Sequence, residues 1–208
     1  MLKTRSSIAI LFSVLVACVL PARASIDLSA KSVTALPGSV GNSFEVDITN
    51  TGISAVEIGG FVFEITTTNP DVTFTDVTDA TTAYSYIFTG NSLFGPDIAF
   101  SSPGQTFDAA DNAATPYSFT ALNPGATLGL GLVFFNVSPT ATAPESVTVS
   151  FNLNDSSLAD GNGDPLSIDG SQSGTIVVTP EPSGTVELIA GFGVLALLKS
   201  KARRFRDW

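Results

Sequence analysis

The side chains with the clearest capacity for chemistry are three oxygen donors at alternate positions of a glycine-rich segment, Asp160, Asn162 and Asp164. Carboxylate and amide oxygens with this spacing suit Ca²⁺, which takes about six to eight oxygen ligands in flexible loops. The segment is not an EF-hand loop, because its twelfth position is a serine where a bidentate glutamate is required. Asp, Asn and Gly are also the residues of an ordinary turn. The pattern therefore predicts either a turn or a Ca²⁺ site.

Composition argues against catalysis. Residues 25–179 contain no His, Cys or Arg, and Lys31 is their single base. A Ser-His-Asp triad, a Cys-His pair and a zinc site each require at least one of the absent residue types. Two carboxylates acting on a glycoside would remain, but 16 acidic residues in this segment make some close pair inevitable by chance. We therefore predict that the protein is not an enzyme and needs no cofactor, Ca²⁺ being the one candidate.

Four aromatic residues, Phe61, Tyr84, Tyr86 and Phe88, offer a second possible site. Gathered on one surface, such rings could stack against sugars. Aromatic side chains on strand faces also pack protein cores. The sequence leaves both interpretations open, and core packing is the favoured one.

The charges are segregated along the chain. Three of the nine basic residues lie in 1–24 and five lie in 199–208. The acidic segment between them has no basic patch with which to neutralise phosphates, which excludes nucleic acid as a partner. Acidity of this kind favours solubility and limits self-association.

The N-terminal segment, 1–24, is typical of a signal peptide. Two bases within the first five residues precede the apolar run 8–20, and Ala22 and Ala24 then form an A-x-A site for signal peptidase before Ser25. Export is therefore predicted. The residues before Cys18 also fit a lipobox, so the alternative is a signal-peptidase-II lipoprotein with a lipid on this cysteine.

The C-terminal segment, 180–208, has a different organisation. Pro180-Glu181-Pro182-Ser183 precedes a mostly apolar stretch, 184–198. A helix of that length spans about 22 Å, which is short against a hydrocarbon core of about 30 Å. Five bases follow it, namely Lys199, Lys201, Arg203, Arg204 and Arg206. They predict a short transmembrane helix with its basic end in the cytoplasm and the preceding domain outside.

The order of triplet, short apolar helix and basic end resembles the PEP-CTERM sorting signal, which is paired with an N-terminal signal peptide. The resemblance implies recognition by an exosortase in the inner membrane of a Gram-negative bacterium and cleavage near Pro180, Glu181, Pro182 and Ser183. The membrane would then hold the protein in transit, with its domain in the periplasm. The final location would be the cell surface or the exopolysaccharide matrix.

Between the two ends, hydrophobicity alternates with a period of two, as in Phe44, Val46 and Ile48 against Glu45 and Asp47. This alternation is typical of strands with one buried and one solvated face. Turn residues separate the runs, and 102–117 is expected to be a long loop. About nine strands are predicted, near 26–34, 43–49, 56–67, 72–77, 84–89, 97–101, 126–137, 145–153 and 174–179. They predict an all-β fold, a single antiparallel sandwich over 25–179.

The arrangement of these runs also resembles the cohesin-like sandwich of exported bacterial proteins. The residues that carry the resemblance are Pro37-Gly38, 44–48, 59–65, 69–74, 160–165 and 174–178. The resemblance implies a jelly-roll-like module for binding or display. Together these patterns predict an exported, non-enzymatic surface or matrix protein with a structural or adhesive domain. The alternative is a module that binds exopolysaccharide or another surface protein, with or without calcium.

Overall fold

The computed structural model describes residues 25–98, 104–115 and 118–181. The predicted signal peptide lies outside these residues, and so does the predicted sorting signal apart from Pro180 and Glu181. Within the described residues no helix is long and apolar enough to cross a membrane. The predicted transmembrane helix, 184–198, is outside the part of the chain to which that finding applies.

The described chain is built from short strands. They are β1 (Ile26–Ala30), β2 (Val33–Ala35), β3 (Asn42–Asn50), β4 (Val56–Ile58), β5 (Gly60–Thr66), β6 (Val72–Thr78), β7 (Asp97–Ile98), β8 (Thr106–Asn112), β9 (Thr120–Leu122), β10 (Thr127–Val137), β11 (Glu145–Phe151), β12 (Ser157–Ala159), β13 (Pro165–Leu166), β14 (Gly170–Gln172) and β15 (Gly174–Val178).

The first sheet has five strands in the order β14-β1-β3-β10-β6. All neighbours are antiparallel except β14, which runs parallel to β1. The two longest strands, β3 and β10, lie side by side in the sheet. Their register shifts between Gly129 and Gly131, so β10 carries a bulge there.

The second sheet follows the order β7-β8-β5-β11-β15-β2. The short strand β12 pairs with the first half of β5, and β13 pairs with β12. The N-terminal segment joins the two layers, because β1 belongs to the first sheet and β2 to the second. A separate pair, β4 and β9, lies beside them.

The core fills the space between the two sheets. In β5 the side chains of Phe61, Phe63 and Ile65 are at most 3 % exposed, whereas Val62 and Glu64 between them are half-buried on the outer face. Burial of one such apolar side chain stabilises the fold by about 1.5–3 kcal/mol. The predicted period of two and the all-β sandwich are thus confirmed for the described residues. The sandwich is not wholly antiparallel as predicted, because β14 runs parallel to β1 and β2 runs parallel to β15.

The two ends of the sandwich hold different loops. At one end, which we call the groove end, residues 51–55 connect β3 to β4, and the domain begins beside them because Thr51 N donates to Ser25 O at 2.8 Å. At the opposite end, the exit end, the chain leaves after Thr179, whose N–H donates to Ala35 O at 2.9 Å. The exit end is formed by loops 36–41, 67–71 and 138–144.

Two predicted strands were wrong in extent because each continues into a different sheet. The predicted strand 26–34 is interrupted between β1 and β2, where the chain passes from one layer to the other. The predicted strand 56–67 is interrupted at Gly59, between β4 and β5. A Cβ at Gly59 would collide with the carbonyl of Asp160, so this position needs glycine.

Two further predictions were wrong in kind. The segment 84–89 is a turn with one isolated bridge, Tyr86 to Gly129, because its aromatic residues leave the sheet and enter the core. The predicted loop 102–117 contains β8, which pairs along the full length of β5. Its inward residues include Ala109 and Asp111, which are too small or too polar to produce a recognisable hydrophobic alternation.

Candidate functional site

The outer face of the first sheet is covered in its middle by residues 79–85, which we call the strap. Thr81 lies so close to β10 that a Cβ on Gly129 would be 2.7 Å from its methyl carbon. The carboxylate of Glu45, which is 5 % exposed, accepts hydrogen bonds from the N–H groups of Thr82 and Ala83 and from the Thr82 hydroxyl. Hydrogen bonds to a charged group contribute about 1.5–3 kcal/mol each. The strap is therefore fastened to β3 by a buried acid.

The pKa of Glu45 reflects this arrangement. Burial by itself would raise the pKa, because it penalises the charged form. The N–H groups of Thr82 and Ala83 outweigh burial, with help from Lys31, and hold the pKa of this carboxyl below its usual value. The strap is consequently attached to the ionised form of the side chain.

A second acid, Asp47, is fully buried beneath the same cover. Its Oδ2 lies 3.2 Å from Nζ of Lys31, which also lies 4.6 Å above the centre of the Tyr84 ring. Burial lowers the pKa of Lys31, but the contact with Asp47 outweighs it and raises that pKa. Burial raises the pKa of Asp47 in spite of Lys31. The burial effect decides for Asp47, because its carboxylate is 0 % exposed whereas Lys31 remains 42 % exposed to water.

The second sheet presents a different outer surface, formed by β8, β5 and β11, which we call the open face. Its exposed hydroxyls include Thr106 and Thr148. Thr66 pairs with Thr106 across the two strands, and their Oγ1 atoms are 3.2 Å apart. Ser150 continues the row on β11, opposite Thr66. The open face therefore offers hydroxyl groups along three adjacent strands.

Acidic side chains lie in the middle of the open face. Asp108 on β8 is the direct cross-strand partner of Glu64 on β5. The amide nitrogen of Asn152 donates to Glu64 Oε1 at 2.7 Å and to Asp155 Oδ2 at 2.5 Å. Burial, followed by the hydrogen bond to Glu64 and the charge of that residue, raises the pKa of Asp108 to about 6. The negative charge of the open face thus decreases as the pH falls through about 6.

The predicted Ca²⁺ ligands lie in the turn between β12 and β13, at the groove end. Asp160 Oδ1 accepts the N–H groups of Asn162 at 2.8 Å and of Asp164 at 2.9 Å. These bonds hold the pKa of Asp160 below its usual value. The segment therefore forms a turn. Across residues 25–98, 104–115 and 118–181, no group of three acidic side chains is placed to hold a metal ion, and the Ca²⁺ site stays a prediction.

A groove of about 520 Å³ lies next to this turn. Its walls include Gly59, Leu93, Ala113, Asp160 and Gly161. Backbone hydrogen bonds fix the walls, since Ala113 N donates to Gly59 O at 2.9 Å and Gly59 N donates to Ala159 O at 2.8 Å. We call this depression the end groove.

The aromatic platform predicted as one alternative is wrong. Phe61, Tyr86 and Phe88 are at most 5 % exposed and belong to the core. The rings of Phe61 and Phe88 are stacked with centroids 5.9 Å apart, and the Tyr86 ring meets both edge-on. Tyr84 alone is exposed, and it lies on the strap above Lys31.

Tyr86 leads to an acid that the sequence did not single out. Asp111, which is 2 % exposed, accepts a hydrogen bond from the Tyr86 hydroxyl at 2.6 Å and another from Ser92 Oγ at 2.5 Å. Burial, with the nearby Asp111 carboxylate, raises the pKa of Tyr86 well above its usual range, so its hydroxyl stays a donor. A weak signal existed, because an acid at an inward position of a strand requires a polar partner.

Comparison with known proteins was informative at the level of the fold. No protein-family model matches the chain, and no curated protein matches it. Several solved structures do match. The solution structure of CaCohA2 from Clostridium acetobutylicum is 21 % identical, with a TM-score of 0.55 over 74 % of this chain and 91 % of that one.

Two other matches have the same character. One is a type I cohesin–dockerin complex, Coh-OlpC–Doc435 from Clostridium thermocellum, at 11 % identity and a TM-score of 0.55 over 77 % of this chain and 97 % of that one. Another is a non-cellulosomal cohesin from the archaeon Archaeoglobus fulgidus, at 19 % identity and a TM-score of 0.52 over 74 % of this chain and 91 % of that one. The described domain therefore has the cohesin fold, as its sequence pattern suggested.

Proposed function

We propose that this chain is an exported, non-enzymatic surface protein whose sandwich binds a protein partner through the open face. The observation that carries the proposal is the difference between the two outer faces. The strap covers the middle of the first sheet and buries Glu45 and Asp47 there, whereas β8, β5 and β11 present exposed hydroxyls beside half-buried carboxylates. A typical protein interface carries about ten direct hydrogen bonds, so a row of surface hydroxyls supplies groups for such a contact.

The fold supports a binding role. Cohesins with this fold are found in cohesin–dockerin complexes, such as that from Clostridium thermocellum. The same fold hosts many activities, so the role has to be argued from this chain's own surface. The charge of the open face, with Glu64, Asp108 and Asp155 near its centre, favours a partner that brings cationic side chains.

Residues outside the described domain support the predicted location. The apolar run with its A-x-A site supports export by signal peptidase. The Pro180-Glu181-Pro182 triplet, the apolar stretch and the basic end support processing by an exosortase. In this proposal the final location is the cell surface or the exopolysaccharide matrix, where the sandwich meets its partner.

Site-specific photo-crosslinking in the producing cells tests the binding face. A photoreactive amino acid is placed in the full chain at Thr106 or Thr148 on the open face, or at Asp76, an exposed control on the first sheet. Adducts of one defined mass are expected from the two open-face positions, and Thr148→Arg should abolish the adduct formed from Thr106. Equal adducts from Asp76, or none from the open face, would show that this face does not bind a protein.

A truncation tests the sorting step. Removal of 180–208 should leave a soluble periplasmic protein, because both the recognition triplet and the apolar stretch are lost. A truncated chain that still reaches the cell surface would refute exosortase sorting. An intact-mass measurement of the mature protein with Ser25 at its N-terminus would exclude lipidation of Cys18.

A further inference from the structure

We propose that the end groove and the exposed Phe94 beside it form a second contact site, which takes a peptide segment carrying basic residues next to apolar ones. The inference rests on the proposed binding role and gives one partner segment a chemistry. It concerns the groove end of the sandwich and does not involve the open face.

The first part of this site is an exposed aromatic residue on a hydrogen-bonded turn. Phe94 is 80 % exposed, the most exposed of the large apolar side chains in the described residues. Its turn is fastened to the buried Asp111, because Ser92 Oγ donates to Asp111 Oδ2 at 2.5 Å and Gly95 N donates to Ser92 Oγ at 2.6 Å. Phe94 N itself lies 3.4 Å from Asp111 Oδ1.

This construction has an energetic consequence. Burying a carboxylate is costly unless hydrogen bonds compensate for the lost water, and here part of that compensation comes from the turn that carries Phe94. The turn that carries Phe94 is therefore fixed before any partner arrives, so less backbone conformational entropy is lost on binding. Aromatic side chains are typical anchors of protein interfaces.

The second part is the groove itself. Leu93, which is 45 % exposed, lines the groove and directly precedes Phe94 in the chain, so the Phe94 residue lies beside the groove. Glycine is favoured at position 161 of this wall, because a Cβ at Gly161 would lie only 2.9 Å from the ring of Phe119. The half-exposed Phe119 ring adds apolar surface beside this wall. An extended peptide can therefore lie against the backbone while an apolar side chain contacts these rings.

Charge selects among the possible occupants. Asp160 lines the groove and is half-buried, while the single base of 25–179, Lys31, is paired with Asp47 on the first sheet. With 16 acids against that one base, the domain repels anionic polymers and attracts cationic segments. A second copy of the chain would bring two strongly acidic domains together, which disfavours self-association at this surface.

The position of the groove also favours an external partner. The C-terminal segment continues from Thr179 at the exit end, whereas the end groove lies at the opposite end of the sandwich. When the chain is held by its C-terminal segment, the groove end points away from the point of attachment. The site is therefore presented outward.

The test uses the full chain in zwitterionic detergent and three labelled pentapeptides, Lys-Leu-Lys-Leu-Lys, Ser-Leu-Ser-Leu-Ser and Glu-Leu-Glu-Leu-Glu. Fluorescence anisotropy at low salt, with empty micelles as the blank, should show the Lys peptide bound most tightly and the Glu peptide unbound. Phe94→Ala should weaken the Lys peptide about tenfold, the effect of losing one interface anchor. Asp160→Asn, which keeps the oxygen that accepts the turn's N–H groups, should weaken it severalfold.

Matched controls lie at the exit end. Val40→Ala shortens an apolar side chain that is 75 % exposed, close to the exposure of Phe94, and Asp71→Asn removes one acidic charge. Each should change the affinity less than about twofold. Equal losses of peptide affinity in Asp71→Asn and Asp160→Asn would mean that the charge of the whole domain attracts the peptide, and would overturn the proposed site.

Other results would also overturn the proposal. The first is failure of the wild-type chain to bind the Lys peptide. The second is displacement of that peptide by neutral dextran, which would indicate a glycan site. The third is a dimer in sedimentation that Phe94→Ala converts to monomer, which would indicate that a second copy of the chain occupies the site. Cross-linking from Thr106 and Thr148 does not depend on these titrations. Open-face adducts without peptide binding would refute this inference and leave the proposed function standing.

Discussion

Replacing Tyr86 by phenylalanine tests the buried hydrogen bonds that fix the groove end. The substitution removes one hydroxyl and leaves the ring packed against Phe61 and Phe88. The lost bond is short, at 2.6 Å, and its acceptor is the Asp111 carboxylate, which is 2 % exposed. A hydrogen bond to a charged group contributes about 1.5–3 kcal/mol. Asp111 keeps the Ser92 hydroxyl and the backbone N–H groups of Phe94 and Asn112, so the loss should fall near the middle of that range, about 2 kcal/mol.

For a domain of this size, that loss lowers the melting temperature by about 4–8 °C. Thermal unfolding of the full chain at pH 7, followed by circular dichroism, measures it. Tyr84→Phe is the matched control, because its ring is 38 % exposed on the strap, and it should change stability by less than about 0.5 kcal/mol.

The reasoning would be refuted if Tyr86→Phe melted within about 1 °C of the wild type, or if both substitutions had the same effect. A double-mutant cycle with Asp111→Asn separates the pair from its surroundings. The cycle should return a coupling of about 1–2 kcal/mol between the hydroxyl and the carboxylate.

Other predictions follow from the remaining acids and from one glycine. Glu45→Gln should destabilise the protein at pH 7, because a carboxyl with a depressed pKa stabilises the fold only when ionised. The difference in unfolding free energy from wild type should therefore shrink as the pH falls below about 4. Denaturation with urea at several pH values measures this. Asp108→Asn should remove repulsion from Glu64 and raise the melting temperature more at pH 7 than at pH 4.5. The reason is that the raised pKa of Asp108 means that stability is lost as pH rises through about 6. An equal rise in melting temperature at both pH values would contradict this prediction. Gly59→Ala should cost about 2 kcal/mol or more in urea denaturation, because its Cβ would collide with the Asp160 carbonyl. Gly90→Ala, with open space around it but a φ of +73°, measures the cost of backbone strain without a collision. Calorimetry at millimolar calcium should detect heat and a higher melting temperature if the Asp160 turn binds the ion; the absence of both would rule out the site.

The pattern of the sequence was sufficient for the class of fold. Alternating residues such as Phe61, Phe63 and Ile65 must face a core, because period two is a property of the extended backbone itself. Turn residues between such runs then predict short antiparallel strands. The sequence also excluded catalytic triads and zinc sites, since chemistry that needs an absent residue type needs no structure to exclude it.

The sequence was least informative where strands change layer or carry small residues. β8 was mistaken for a loop, because Ala109 and Asp111 give no apolar signal although both face the core. The break at Gly59 was missed for a related reason. The need for glycine there arises from Asp160, a residue about a hundred positions away in the chain.

Tertiary structure alone decided which acids are buried. By alternation, Glu45 and Asp47 belong on a solvated face, and that assignment of their direction is correct. Their burial comes from the strap, which follows β6 and crosses the sheet to meet them. The periodicity of a strand fixes the direction in which a side chain points. Whether water remains there depends on what the rest of the chain places above it, and no local pattern contains that information.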